Sequence, residues 1–480
     1  MKRFVATLGL CAFAVGASVA DAAAQPAPQG AGVPQPQPNG QKPPYWGLFG
    51  GGSKDQPQSL DVNASVSGVY DDNLAAQLPG SPYGNGVPID PRYAQAGFGY
   101  GFSGDGLYGF RKTGRRDSVK FDANAGVHEF SGALGDAIWM RTLGVNGQYR
   151  HDFTPKITMS ASGSFSDAPY YQYAPFIQGT IAEPGPAGKD TGFATNAPNV
   201  MQSTGSFSVE DRFSKRSNIT FAAFTEHHGS PDFGPINLDR QSVRGIVTHN
   251  FLKQLAVHVG YVYEKTDYAN SLAEPYVTQG LDIGLGYGDG ITIRIGRYYT
   301  LSVGIGTSIA RNGSVHYVEQ GQAEYRFLVN GYATLDRSIG RSWNAYASFV
   351  QDSQHVLGFT QPIYTSTALA GISGPIANKL NFSGGAGAAR GQQIFSTSTT
   401  GGALVSYNAS ARLTYAIMSN LGLYSQVSYY KYSTPSDFYF PLFLPNLERR
   451  SISVGLRTWV PLIKPPRRAR TSEPQETGQP

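Results

Sequence analysis

The chain has 480 residues, of which 40% are hydrophobic and only 15% charged, with 59 glycines and a net charge of +5. So few charges exclude an ordinary soluble surface, and the lack of any run of roughly 18 apolar residues beyond the N-terminus excludes a bundle of membrane-spanning helices. The near balance of charge gives no basis for nucleic acid as a partner.

The N-terminus carries Lys2 and Arg3, an apolar run over residues 4–19, then Ala22, Ala23 and Ala24. This is the layout of a secretory signal, expected to span residues 1–24. The single cysteine, Cys11, lies inside it, so the exported chain is expected to have neither disulfides nor thiolate metal sites. Residues 25–58 are rich in Pro, Gln and Gly, cannot bury a core, and read as an extended periplasmic leader. The leader holds one aromatic patch, Tyr45-Trp46-Gly47-Leu48-Phe49. That patch either enters the body of the fold as a plug, touches a partner, or packs near the rim.

Residues 59–460 repeat one pattern, with apolar side chains on one parity and small or polar ones on the other. That is the period of a β-strand. The first segment sets Leu60, Val62, Ala64 and Val66 against Asp61, Asn63, Ser65 and Ser67, and runs into Val69-Tyr70-Asp71-Asp72-Asn73. A second strand is expected at Ala96, Phe98, Tyr100 and Phe102, with Arg111, Lys112, Arg115 and Arg116 in the turn behind it. Val119 to Val127 then alternate with Lys120, Asp122, Asn124 and His128, and Leu143, Val145 and Tyr149 oppose Asn146, Gln148 and Arg150. After Thr154-Pro155-Lys156, Ile157, Met159, Ala161 and Phe165 face away from Ser160, Ser162, Ser164 and Ser166, and such a serine face implies water. A long insertion over residues 167–200 precedes strands at Phe207 and Val209, at Ile219 and Phe221, at Val243 and Val247, and at Val257, Val259, Tyr261 and Tyr263.

Residues 281–311 show the rule most cleanly. Leu281, Ile283, Leu285, Ile291 and Ile293 share a parity that excludes Asp282, Gly284, Gly286, Thr292 and Arg294. Past Gly296, Arg297, Tyr298 and Tyr299 the pattern resumes with Leu301, Val303, Ile305 and Ile309. Asp289 breaks the apolar parity, and Asp289-Gly290 would suit a tight turn. A turn there leaves strands of about eight residues, shorter than the roughly 9–11 that cross a bilayer, so the long strand is preferred.

Later segments lie at Ala323 to Val329, Trp343 to Phe349, residues 365–374, Leu380 to Ala386, Val405 to Tyr415, Leu421 to Tyr429 and Ile452 to Leu456. Together they predict an all-β protein: a transmembrane antiparallel up-and-down β-barrel of about 18 strands, 16–18, over residues 59–460. Short connections alternate with long ones. Lys156, Lys215, Arg216, Lys253, Arg297, Arg341 and Lys379 fall in the short turns, while Asp72, Asp90, Asp136, Glu183, Asp190, Asp232 and Glu274 fall in the long loops. This sorting matches short periplasmic turns and long outer loops, with both termini periplasmic. In the last strand Gly455 and Val460 fit the C-terminal insertion signal of outer-membrane barrels, although Thr458 stands where an aromatic is usual. The basic tail, residues 461–480, is expected to be disordered.

A signal peptide, a polar leader and a first strand ending in Val69-Tyr70-Asp71-Asp72-Asn73, followed by Ser/Tyr-rich hairpins, resemble the beta-barrel porin group found in exopolysaccharide gene clusters. The resemblance implies an outer-membrane channel in a Gram-negative bacterium, serving polysaccharide secretion. It carries no catalytic residues.

Glu226 and His228 share a face near Asp232 and are the strongest candidates for a metal or acid/base pair. Two ligands on one strand make a weak site, and a solvated rim cluster is the plainer reading. No enzyme activity, metal or cofactor is expected. The expected role is an aqueous channel for hydrophilic solutes or saccharides. The alternative is a non-conducting structural or adhesive barrel. Ser160, Ser162, Ser164, Asn124, Gln148, Arg150, Glu324, Arg326 and Tyr424 are the expected lumen residues. Tyr170, Tyr171, Tyr173, Phe176, Glu183 and Asp190 are candidates for a constriction loop, if that loop folds inward and does not stand exposed. The partners expected are outer-membrane lipid, lipopolysaccharide, the barrel-insertion machinery, and sugars or a polysaccharide.

Overall fold

The structure, a computed structural model, describes Leu48 and residues 58–72, 105–114, 116–131, 137–169, 199–229, 237–251, 256–268, 276–285, 291–295, 298–311, 325–340, 342–355, 362–395, 403–433 and 446–463. In chain order the strands are β1 (Gln58–Asp71), β2 (Asp105–Thr113), β3 (Asp117–Ser131), β4 (Ala137–Asp152), β5 (Ile157–Pro169), β6 (Asn199–Asp211) and β7 (Ser217–Gly229). Next come β8 (Asn237–Asn250), β9 (Ala256–Tyr268), β10 (Tyr276–Leu285), β11 (Ile291–Ile295), β12 (Tyr299–Arg311) and β13 (Tyr325–Ile339). The set ends with β14 (Trp343–Gln354), β15 (Ile363–Ala377), β16 (Leu380–Gln393), β17 (Leu404–Ala416), β18 (Leu421–Ser433) and β19 (Asn446–Pro461).

Except for β10 and β11, each strand pairs antiparallel with its chain neighbour, and β1 pairs with β19 from Asp61↔Pro461 to Asp71↔Ser451, which closes the sheet. β10 and β11 lie end to end against the same edge of β12, through Val277↔Arg311 and Ile291↔Val303. They are one interrupted strand, so the barrel has 18 strands. Both segments run in the same direction, so the long strand preferred from the sequence holds against a hairpin turn at Asp289-Gly290, and residues 286–290 between them lie outside the described residues.

Two expectations are corrected. The strand beside β1 is Asp105–Thr113, so Arg111 and Lys112 belong to a strand and not to a turn. The segment expected at 96–102 lies outside the described residues. Tyr299, set ahead of the point where the pattern resumes, likewise falls inside β12.

Period two sorts the side chains radially. Val66, Phe121, Phe207, Phe221, Val243, Leu281, Phe327, Tyr407 and Val454 are exposed on the outside, while Ser65, Ser206, Arg244, Thr334, Thr367, Ser428 and Arg457 are buried on the inside. An exterior of large apolar residues is stable only against lipid, and the polar interior is what an aqueous lumen requires. The short turns hold two to five residues and carry exposed Phe153, Phe213, Phe251, Tyr298 and Met418. These form an interfacial girdle at one end. Strands of 13–16 residues, such as β4, β5 and β19, exceed the roughly 9–11 needed to cross a bilayer.

The inner glycines have a packing role. An added Cβ on Gly371 would lie 2.5 Å from Tyr346 Cε1, and its register partner is Tyr346 itself. Gly304 receives Tyr332 in the same way. The rings therefore lie flat along the wall instead of standing into the lumen. In the β13–β14 turn, Gly340 has φ +65, a left-handed conformation that glycine adopts without strain.

Candidate functional site

The interior is built from one face of each strand. On β5, the Oγ of Ser162 lies 3.3 Å from that of Ser206, and Ser164 Oγ lies 2.6 Å from Thr204 Oγ1, which gives a hydroxyl strip across β5–β6. Ser160 pairs with Ser208 in register. Asn124 packs against Gly144 on β4. Gln148 and Arg150 stand near the short-turn end, where Arg150 Nε donates to Asp152 Oδ1 (3.3 Å) and Thr158 Oγ1 donates to the same oxygen (2.8 Å). Arg326 lies at the exposed start of β13. Tyr424 is buried beneath the guanidinium of Arg412, 4.1 Å from the ring centroid. Glu324 and the six candidates at 170–190 lie outside the described residues. The structure thus distributes the expected residues around the wall; only the β4–β5 group comes together.

The Glu226–His228 pair is not a solvated rim cluster. Both side chains are buried at the long-loop end of the lumen. His228 Nε2 donates to Glu226 Oε1 (2.8 Å), and Gln202 Nε2 donates to the same oxygen (3.0 Å). Arg240 on β8 bridges the other Glu226 oxygen (3.4 Å) and Glu264 on β9 (2.7 Å), and His355 donates to the second Glu264 oxygen (2.6 Å). Every charge in this chain has an opposite neighbour, as burial away from bulk water demands. Among the described residues no group of three or more His, Cys, Asp or Glu side chains is placed to hold a metal ion.

A second buried set had no place in the sequence expectations: Arg412, Arg449 and Arg457, with Tyr430 and Tyr432, on β17–β19. Parity pointed to it, since Arg449, Ser451, Ser453 and Arg457 oppose Ile452, Val454 and Leu456. Leu48, of the leader, is 1% exposed and lies over Gly422 on the inner face of β18, its Cδ1 3.7 Å from the position of an added Cβ.

No family model matches the chain, and no curated protein matches it in sequence. Among solved structures it is similar to the copper transporter OprC, with 11% identity, a TM-score of 0.40, and coverage of 83% of this chain and 67% of that one. It is also similar to the FrpB iron transporter from Neisseria meningitidis, at 7% identity and a TM-score of 0.39, covering 84% and 82%. The loop-deleted outer membrane protein OmpT of Vibrio cholerae matches at 12% identity and a TM-score of 0.31, covering 84% and 100%. The closed sheet, apolar outside and polar inside, defines an outer-membrane β-barrel.

Proposed function

We propose that the chain forms an aqueous channel for hydrophilic solutes, with saccharides foremost. The observation that carries this reading is the hydroxyl strip of Ser162, Ser164, Thr204 and Ser206 on the inner wall of a closed barrel. Hydroxyls exchange hydrogen bonds with water and sugars without selecting for ionic charge. Service as the outer-membrane element of polysaccharide export extends the reading and rests on the sequence resemblance around residues 69–73. The short basic turns are assigned to the periplasm together with both termini, and the long acidic loops to the outside. Transport is favoured over catalysis because the Glu226 carboxylate, paired with His228, is already engaged by Gln202 and Arg240.

Planar-bilayer recording with and without oligosaccharides tests the channel. Discrete current steps blocked by oligosaccharide are expected, and silence across many insertions would leave a sealed structural barrel.

A further inference from the structure

β14 parts from β13 before β13 ends. Its ladder with β13 starts only at Gly331↔Gln351, although β13 continues to Tyr325 along β12. Asp352, Ser353 and Gln354 still pair with β15. The end of β14 is thus free to turn inward, and it carries His355 to Glu264 on β9, past β10, β12 and β13 in the sheet order. The hydroxyl of Tyr364 on β15 donates to the carbonyl of Val329 and spans the step left in the wall.

The base of the next long loop turns the same way. The Ile394 N–H donates to the Pro362 carbonyl (3.3 Å), which ties the start of the β16–β17 connection to the end of the β14–β15 connection. Phe395 then reaches Tyr276 on β10, ring centroids 5.7 Å apart, and Tyr276 meets His355 at 6.1 Å. Tyr276, Ile394 and Phe395 are buried in one cluster with Leu238 and Leu328. Apolar burial at the wet mouth of a polar lumen needs a cause, and the cause is mutual packing of loop bases from opposite parts of the wall.

We propose that His355 and Phe395, clamped onto Glu264 and Tyr276, are the size-limiting residues of the long-loop mouth. The proposal rests on the channel reading. The clamp is stiff for two reasons. Glu264 is held from both sides by Arg240 and His355, and Phe395 is wedged between aromatic and aliphatic neighbours. A constriction of this kind discriminates by solute width.

The test uses full-length protein in proteoliposomes and planar bilayers, comparing wild type with His355→Ala, Phe395→Ala and the double variant. Heat-modifiable gel mobility confirms that each barrel is folded. The expected result is a roughly twofold rise in single-channel conductance for the double variant and entry of longer neutral oligosaccharides in swelling assays. Phe221→Ala, on the exposed outer face, is the control and is expected to leave the cut-off unchanged. Folded variants with wild-type conductance and cut-off would overturn the clamp and leave the channel standing. Absence of current in wild type and variants alike would overturn both.

Discussion

Asp72 and Arg450 hold the two ends of the barrel together. The Asp72 N–H donates to the Arg450 carbonyl (3.1 Å), and the Asp72 carboxylate accepts the Arg450 N–H (2.7 Å). The bonds sit at the long-loop end of the β1–β19 seam, one residue beyond the Asp71↔Ser451 pair. Asp72, within the Tyr-Asp-Asp-Asn stretch, is therefore a seam clasp. It satisfies backbone groups that would fray where the last strand meets the first.

Asp72→Ala is expected to cost about 1 kcal/mol, because the bond is partly solvated. It should lower the urea midpoint of the reconstituted barrel without changing conductance. An unchanged midpoint would show that the ladder alone holds the seam.

Parity gives a paired test. Val243 is exposed at the middle of β8, and Ser242 beside it faces inward. Val243→Lys places an ammonium against lipid and should destabilise the folded barrel by about 2–4 kcal/mol, whereas Ser242→Lys should fold normally. Folding titrations in lipid would check the pair, and equal losses would contradict the assigned lipid face.

The inner glycines make a prediction about the pore. Gly371→Val must push the Tyr346 ring off the wall, at about 1–3 kcal/mol of overpacking, and into the lumen. Conductance should fall, and Tyr346→Ala in the same chain should restore it. Failure of that second change to restore conductance would place the effect in the backbone.

Much of the fold was legible because each strand has two chemically different faces, so Phe165 against Ser164 or Val243 against Ser242 reads the wall locally. β2 was misplaced because glycines and the basic pair Arg111-Lys112 blur its alternation. The break between β10 and β11 was visible only as one charged residue, Asp289, on the wrong parity. The mouth clamp was not legible at all. His355 and Glu264 are 91 positions apart in sequence and meet only because β14 bends across a closed barrel, a relation that period-two patterning does not encode. Glu226 and His228 were found as neighbours on one strand, while Arg240 and Glu264, which neutralise and enclose them, come from the next two.

The last prediction concerns the leader. Leu48 is an apolar side chain inside a polar lumen, near the short-turn end, and it lies where Gly422 leaves room and Arg457 is the register partner. An apolar residue is stable there only if it is packed, and at 1% exposure it is. Leu48 itself lies on the inner face of β18, and the other residues of the aromatic patch lie outside the described residues. Deleting residues 25–56, which stops short of β1, should raise conductance while leaving the heat-modifiable form intact. Gly422→Leu should act in the same direction, by filling the seat that Leu48 occupies. If instead both variants conduct as wild type, Leu48 lines the mouth without obstructing it, and the short-turn end of the lumen is already open in the resting protein.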